Sequence, residues 1–421
     1  MKVGGTIRVP GDKSISHRAL IFAALAEGAS RIRDILPSAD VHSTAAVLGA
    51  LGVPLPPLAP DMTIVGRGPR ALTPAAGDLD CGNSGTTTRL VAGVAAALPF
   101  TSRFVGDASL SRRPMRRIAK PLREMGATVD VAPADGLPMT ITGGHLHGIA
   151  WRSETASAQV KSAILLAGLA AGVEVTVHEP ARSRDHTERI LTALGATVHT
   201  LGATVRLEVA DRLAPLHMRV PADPSSAAFL AALAVLANQG ELMLPDVCLN
   251  PTRTGFYAAL ARMGANLTLD EGESQGGEPV GTIIARPSSL TAIDLGRDDV
   301  PSMIDELPLL ACVASRASGT TTIRGAEELR VKESDRIATV VANLRAVGAN
   351  ADELPDGVCI EGSTRPLRGR IETHGDHRIA MAFGVLRALP NNAIEIDDTA
   401  CVNVSYPGFW DDIARAIVRD R

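Results

Sequence analysis

Leu191-Thr192-Ala193-Leu194-Gly195-Ala196-Thr197-Val198 reads as the tail of a Leu-rich helix that stops at a glycine and runs on into β-branched residues. A glycine just past a helix can take the left-handed conformation that caps it, and the Thr and Val that follow favour a strand. The phrase recurs as LGALGV around Gly52, LREMGATV around Gly126, LARMGANL around Gly264 and LRAVGANA around Gly348. These glycines lie roughly 70 to 85 residues apart, the mark of an internal repeat.

Between the tails sits a second recurring phrase, a small polar cluster that opens an Ala/Leu helix. Its copies are GDKSISHRALIFAAL from Gly11, GNSGTTTRLVAGVAA from Gly82 and SAQVKSAILLAGLAA from Ser157. DPSSAAFLAALAVLA from Asp223, DELPLLACVASRA from Asp305 and GDHRIAMAFGVLRAL from Gly375 complete the set. Six copies of a unit of roughly 70 residues, each strands plus two helices, predict an α/β (α+β) chain of two lobes with three units apiece. Phe409–Asp420 closes the last unit as a further helix. Such helix starts supply N-caps and leave backbone N–H groups over. Each carries about +0.5 of an elementary charge, so convergence of the six would make an anion trap.

Composition agrees. The chain has 421 residues, 45% of them hydrophobic and 21% charged, enough for two or three globular domains. A net charge of −4 argues against a dedicated nucleic-acid or anionic-membrane binder. Seven Phe, two Tyr and two Trp are too few for base-stacking platforms. No apolar run reaches the roughly 18–20 residues that span a bilayer. The longest, Ile164–Val173 and Ala227–Ala237, read as buried helices. Met1–Pro10 has no signal-peptide core. The five cysteines (81, 248, 312, 359, 401) are scattered and predict reduced thiols in a cytoplasmic protein.

The ionisable residues gather at the helix starts. Pro10–Arg18 offers Lys13, Ser14 and Arg18; it is not GxxxxGK[ST], so a P-loop nucleotide site is rejected. Leu79–Arg89 is a turn of small residues around Gly85 that lets a ligand approach the backbone. It is not GxSxG. Asp107–Arg117 holds four arginines, with Pro114 fixing the backbone beside Arg113; a guanidinium suits carboxylate or phosphate. Ser157–Ser162 begins a helix too apolar to be a surface one, so Ser157 and Gln159 line something. Ser183 and Arg184 form another polar turn. On a helix Lys332 and Arg336 would be i,i+4 neighbours on one face, beside Glu333. Asp305 heads an apolar helix, where an unpaired carboxylate is costly and so should pair or act. His374 and His377 have HxxH spacing but no third ligand, and Arg378 beside them reads as an anion clamp. Many cations, few carboxylates and no nucleophile–His arrangement imply small substrates bearing phosphate and carboxylate, handled by proton transfer.

PGDKSISHRAL, GNSGTTTRL, SLSRRPM, SAQVKSA, RVKESDRI and GDHRIAMA, in that order over nearly the whole chain, resemble the 5-enolpyruvylshikimate-3-phosphate synthase family (3-phosphoshikimate 1-carboxyvinyltransferases). The resemblance implies a two-lobed inverse β-prism, each lobe three βαβαββ units. Lobe one would be 1–11 with 224–421 and lobe two 12–223, the active site lying in the cleft between. It implies transfer of the enolpyruvyl group of phosphoenolpyruvate to the 5-hydroxyl of shikimate 3-phosphate, by a monomer without metal or organic cofactor. Lys13, Ser14, Arg18, Ser157, Gln159, Ser183, Asp305 and Lys332 would hold shikimate 3-phosphate. Lys13, Gly85, Gln159, Arg113, Arg336 and Arg378 would hold phosphoenolpyruvate. Lys13, Asp305 and Glu333 would move protons. Gly85 further implies sensitivity to glyphosate.

Three positions depart from the family pattern. Val404 stands where many members carry a Lys, and Lys161 is a candidate replacement. Glu328 stands where Asn is common, and Ala158 where a second Ser is common. The sister family acting on UDP-N-acetylglucosamine carries a Cys near the Arg-Pro motif, and Asp107–Arg117 has none. A non-catalytic anion-binding relative would not need Lys13, Asp305, Glu333, Arg336 and Arg378 together.

Overall fold

The computed structural model describes residues 1–210 and 212–418. The chain divides into two compact units. Unit 1 comprises Met1–Pro10, Pro221–Glu273 and Pro279–Arg421; unit 2 comprises Gly11–Val220 and Ser274–Glu278. These limits lie one to three residues from the boundaries expected at 11/12 and 223/224. Residues 274–278, assigned above to lobe one, go with unit 2. Glu278 is the reason: its Oε1 is 2.7 Å from Nδ1 of His186, both side chains fully buried. Nη1 of Arg189 donates to the Gly277 carbonyl at 3.0 Å beside it.

Unit 2 carries helices α1 (Lys13–Leu25), α2 (Ala39–Ala50), α3 (Gly85–Ala96), α4 (Arg116–Glu124), α5 (Ala158–Ala171) and α6 (His186–Ala193). Unit 1 carries α7 (Pro224–Val235), α8 (Gly255–Arg262), α9 (Leu307–Ala314), α10 (Arg336–Ala346), α11 (His377–Ala388) and α12 (Phe409–Ala416). The helix expected over Phe409–Asp420 is α12; Ile417–Val418 is a short strand, and residues 419–420 lie outside the described residues.

The repeat is visible in the strand pairing. Leu79–Asp80 runs parallel to Thr101–Val105, which pairs antiparallel with Met139–Thr142, flanked by Thr128–Val131. Ala150–Arg152, Val175–His178, Thr204–Leu207 and Val198–Leu201 repeat that arrangement. So, in unit 1, do Lys2–Thr6, Gln239–Cys248, Val280–Arg286 and Asn266–Glu271. Asp294–Leu295, Thr320–Ile323, Gly357–Glu361 and Asn350–Leu354 do so once more. Each parallel pair needs a crossover, and the antiparallel strands that follow one another in sequence, such as Val198–Leu201 and Thr204–Leu207, close through short connections.

The helix-tail glycines do what their sequence predicts. Gly52, Gly126, Gly195, Gly264 and Gly348 all have φ between 88° and 112°. Four lead within a few residues into a strand. After Gly52 the prolines at 54, 56, 57 and 60 remove backbone donors, and the strand waits until Asp61. The helices in the second set of phrases are the cores of their units. Every residue of α7 is buried, as its apolar composition on all faces requires.

Candidate active site

Five of the six helix starts are capped by their own side chains. Asp12 accepts from Ile15 N (2.8 Å), Ser84 from Thr87 N (3.1 Å), Ser157 from Val160 N (3.5 Å), Asp223 from Ser225 N (2.8 Å) and Asp376 from Arg378 N (2.9 Å). The sixth departs from its sequence reading: α9 is capped from Glu306, without a side-chain bond, and Asp305 lies one residue outside. Because three of these caps are buried carboxylates, anion affinity here must come chiefly from side-chain cations, not from bare helix N-termini.

In unit 2, Arg18 sits one turn into α1, 3% exposed. Its Nε donates to Thr187 Oγ1 at 2.7 Å, its Nη2 to Ser162 Oγ at 2.9 Å and its Nη1 to the Ser14 carbonyl at 3.0 Å. Burial lowers its pKa to about 10, partly offset by Glu188 and Asp12. A charge so desolvated, whose hydrogen bonds among the described residues go to neutral oxygens, is receptive to an anion. Lys13, in the first turn of α1, pairs with Asp40 of α2 at 3.1 Å. A chain of buried hydroxyls ties α1, α2 and α3 together. His17 Nδ1 is 2.6 Å from Thr44 Oγ1, which is 2.6 Å from Thr87 Oγ1, which is 2.7 Å from Ser84 Oγ. Burial first, then the charges of Lys13 and Arg18, hold His17 well below its ordinary pKa.

Gly85 opens α3 between two guanidiniums. A Cβ there would stand 3.1 Å from Arg89 Nη1 and 3.3 Å from Arg113 Nη1. Arg89 donates to Gln159 Oε1 at 2.5 Å, and Gln159 Nε2 to Thr86 Oγ1 at 3.1 Å. Arg113 donates to Asn83 Oδ1 at 2.6 Å. Gly85, Arg113 and Gln159 therefore meet, and Arg89, inside the quoted GNSGTTTRL but not singled out, joins them. Cys81, just before this turn, has its thiol raised to about 12 by burial, so it is no thiolate nucleophile at neutral pH.

Ser157 and Ser183 converge on Glu179, which sequence reasoning missed. Glu179 accepts from Ser157 N at 3.0 Å and from Ser183 Oγ at 2.8 Å. Lys161 is here too, and this corrects its assignment as a replacement phosphoenolpyruvate cation. Its ammonium is 1% exposed and lies 2.8 Å from both Glu179 and Glu188. Burial works against that charge, but Glu188 and Glu179 outweigh it and raise the pKa. Lys161 is committed to two carboxylates.

In unit 1, one guanidinium gathers the acidic residues. Arg336, 1% exposed, donates from Nε and Nη2 to Asp376 at 2.8 and 3.2 Å. Its Nη2 is 2.6 Å from Glu333 Oε2 and its Nη1 3.5 Å from Asp305 Oδ1. Burial opposes the charge, but Asp376, Glu333 and Asp305 prevail and raise its pKa. Lys332 Nζ stands 3.8 Å from Asp305. Lys332 and Arg336 do share a carboxylate, but not a helix face. Asp335 caps α10 through Ala338 N (3.0 Å), so Lys332 precedes the helix in extended backbone. Arg378, in the first turn of α11, is 3.6 Å from Glu306, which accepts from Ser225 Oγ. Arg253 donates to Ser225 Oγ at 2.9 Å and to Asp223 at 3.0 Å. Arg253 and Glu306 carry no motif that would have flagged them. Val404 ends a 3₁₀ turn, Ala400–Val404.

The sequence profile of EPSP synthase (3-phosphoshikimate 1-carboxyvinyltransferase) matches residues 1–413. The 3-phosphoshikimate 1-carboxyvinyltransferase of Bacillus licheniformis is 44% identical over 414 residues, which are 98% of this chain and 96% of that protein. That of Desulfitobacterium hafniense is 46% identical over 410 residues, 97% of this chain and 94% of that protein. The solved structure of EPSP synthase from Acinetobacter baumannii superposes with a TM-score of 0.86 at 42% identity, covering 99% of this chain and 96% of that one. Full-length likeness in sequence and in fold, with the quoted motifs in place, means that the chain belongs to the EPSP synthase (3-phosphoshikimate 1-carboxyvinyltransferase) family.

Proposed function

We propose how the residues above divide the work of this family's reaction. The chain is a transferase of the shikimate pathway. It moves the enolpyruvyl group of phosphoenolpyruvate to the 5-hydroxyl of shikimate 3-phosphate and releases phosphate. Lys13, Ser14, Arg18, Ser157, Gln159 and Ser183 hold shikimate 3-phosphate, and Asp305 and Lys332 face its ring. Gly85, Arg113, Arg336 and Arg378 hold phosphoenolpyruvate, with Lys13 and Gln159 touching both.

Glu333 gives its proton to the methylene carbon, making the adjacent carbon oxocarbenium-like. The 5-hydroxyl oxygen bonds to that carbon as Asp305 takes the hydroxyl proton. The tetrahedral intermediate then breaks its bond to phosphate, while a methyl proton returns to Glu333 and restores the double bond. Fixed guanidiniums stabilise the departing phosphate without having to reorganise. The observation that carries this reading is Arg336, which brings Glu333 and Asp305 to within 2.6 and 3.5 Å of one guanidinium. In the finer fold reading, both units are inverse β-prisms of three βαβαββ repeats; the four sheets with matching strand order support it. We read the protein as a cytoplasmic monomer that uses no cofactor.

The test is phosphate release from phosphoenolpyruvate with shikimate 3-phosphate, beside UDP-N-acetylglucosamine, with chelator present. Release with shikimate 3-phosphate alone, unchanged by chelator, is expected. Release only with the sugar nucleotide would overturn the acceptor, and loss on chelation would overturn the metal-free chemistry.

A further inference from the structure

We infer that the buried Lys161–Glu179 pair is a positioning device for the shikimate 3-phosphate subsite, and that Glu179 is its pivot. The inference rests on the reading that Ser157, Gln159 and Ser183 hold that substrate. Both oxygens of Glu179 are used. Oε1 accepts from Ser157 N at 3.0 Å; Oε2 accepts from Ser183 Oγ at 2.8 Å and from Ser183 N at 3.4 Å. Lys161 lies 2.8 Å from Oε2 and also donates to the Ser183 carbonyl at 3.4 Å. Two segments far apart in sequence, the start of α5 and the loop before α6, thus hang from one carboxylate. Ser157 is also the cap of α5.

The pairing is hard to account for as stabilisation alone. A buried ion pair recovers little beyond its own desolvation, and an apolar pair of the same volume often packs as well or better. What an ion pair adds is directionality. The ammonium lies 2.8 Å from a carboxylate oxygen of each of Glu179 and Glu188 and donates to the Ser183 carbonyl at 3.4 Å. The rotamer of Glu179 is then fixed, and both serines are fixed through it. Substrate-binding groups held this way lose less freedom when the ligand arrives.

The isosteric Glu179→Gln variant is the main test. It keeps an oxygen for Ser157 N and weakens the grip on Lys161 and Ser183. The expected result is a KM for shikimate 3-phosphate raised about tenfold, with kcat and the KM for phosphoenolpyruvate within about threefold. Calorimetric binding of shikimate 3-phosphate alone should weaken by the same factor. Lys161→Met leaves carboxylates buried without their cation, so it should be worse than the double variant Lys161→Met/Glu179→Gln. Equal rises in both KM values, or a lowered melting temperature with unchanged shikimate 3-phosphate affinity, would make the pair merely structural and overturn the inference. Ser157→Ala and Ser183→Ala run in parallel. If they weaken shikimate 3-phosphate binding and Glu179→Gln does not, this inference fails alone. If neither serine matters, the reading beneath it fails, and the inference with it.

Discussion

Nη1 of Arg89 lies 3.1 Å from where a β-carbon on Gly85 would stand, and Nη1 of Arg113 only 0.2 Å farther, at 3.3 Å. A methyl group there fits only if both guanidiniums retreat by a few tenths of an ångström. Gly85→Ala should therefore raise the KM for phosphoenolpyruvate several-fold, since a small misplacement of positioning groups is costly. The wild-type enzyme should be inhibited by glyphosate competitively against phosphoenolpyruvate, and the inhibition constant should rise more steeply in Gly85→Ala than the KM does. Steady-state kinetics with glyphosate as the varied inhibitor decides this; equal inhibition of both proteins would refute it.

Glu333 is 21% exposed at the side chain, so its loss should leave the fold intact. Glu333→Gln keeps the shape and removes the transferable proton. Loss of a general acid costs about 10²–10⁴ in rate. We expect kcat to fall by that order, with melting temperature and phosphoenolpyruvate binding nearly unchanged. A kcat within threefold of wild type would remove Glu333 from the mechanism.

Arg336 should behave in the opposite way. Its removal strands Asp376, which is fully buried, and breaking a buried pair from one side costs about 3–5 kcal/mol. Arg336→Ala should unfold at a distinctly lower temperature and be inactive. Arg336→Lys keeps one charge but not the two-pronged contact with Asp376, so it should recover stability more than activity. Thermal melts beside kinetics check this, and a fully active Arg336→Lys would contradict it.

His17 predicts an acid limb in stability. Its ordinary pKa is 6.5, and in the folded protein it lies well below that. Above pH 6.5 the ring is neutral in both states and contributes nothing. As pH falls below 6.5 the unfolded chain takes up a proton that the folded chain refuses, so stability drops. The drop deepens as the solution is made more acidic, until the folded ring also takes up a proton. Asn at position 17 can still bond Thr44 but does not titrate. Urea unfolding at pH 7.5 and 5.5 should show a smaller loss for His17→Asn than for wild type; equal losses would dismiss the idea.

The repeat was legible because its signals are local. A capping glycine, a Ser or Asp at a helix start and an apolar run each lie within a few residues, and Gly195, Ser84 and Asp376 act as their neighbours predict. What was illegible is what the fold joins over distance. Nothing near Arg18 announces Thr187, 169 residues away, and nothing near Ser157 announces Glu179. Lys161 was misassigned for that reason, since a lysine in a polar helix start looks available until its two carboxylates are seen. The Lys332–Arg336 face failed for a local reason: Asp335 is the better cap, so the helix starts one residue after it.

The seating of residues 274–278 has a practical consequence. No uninterrupted stretch of the chain consists of unit 2 alone, because Glu278 is supplied from a point more than fifty residues beyond Val220. A recombinant fragment cut at the obvious ends, 11 and 220, would lack the carboxylate that meets His186 at 2.7 Å in a fully buried position. Such a fragment should be poorly folded, and a synthetic peptide spanning 274–278 should improve it. The smallest piece of this gene product that folds like unit 2 is thus set by an insertion borrowed from its partner's stretch of sequence, not by where the polypeptide crosses over.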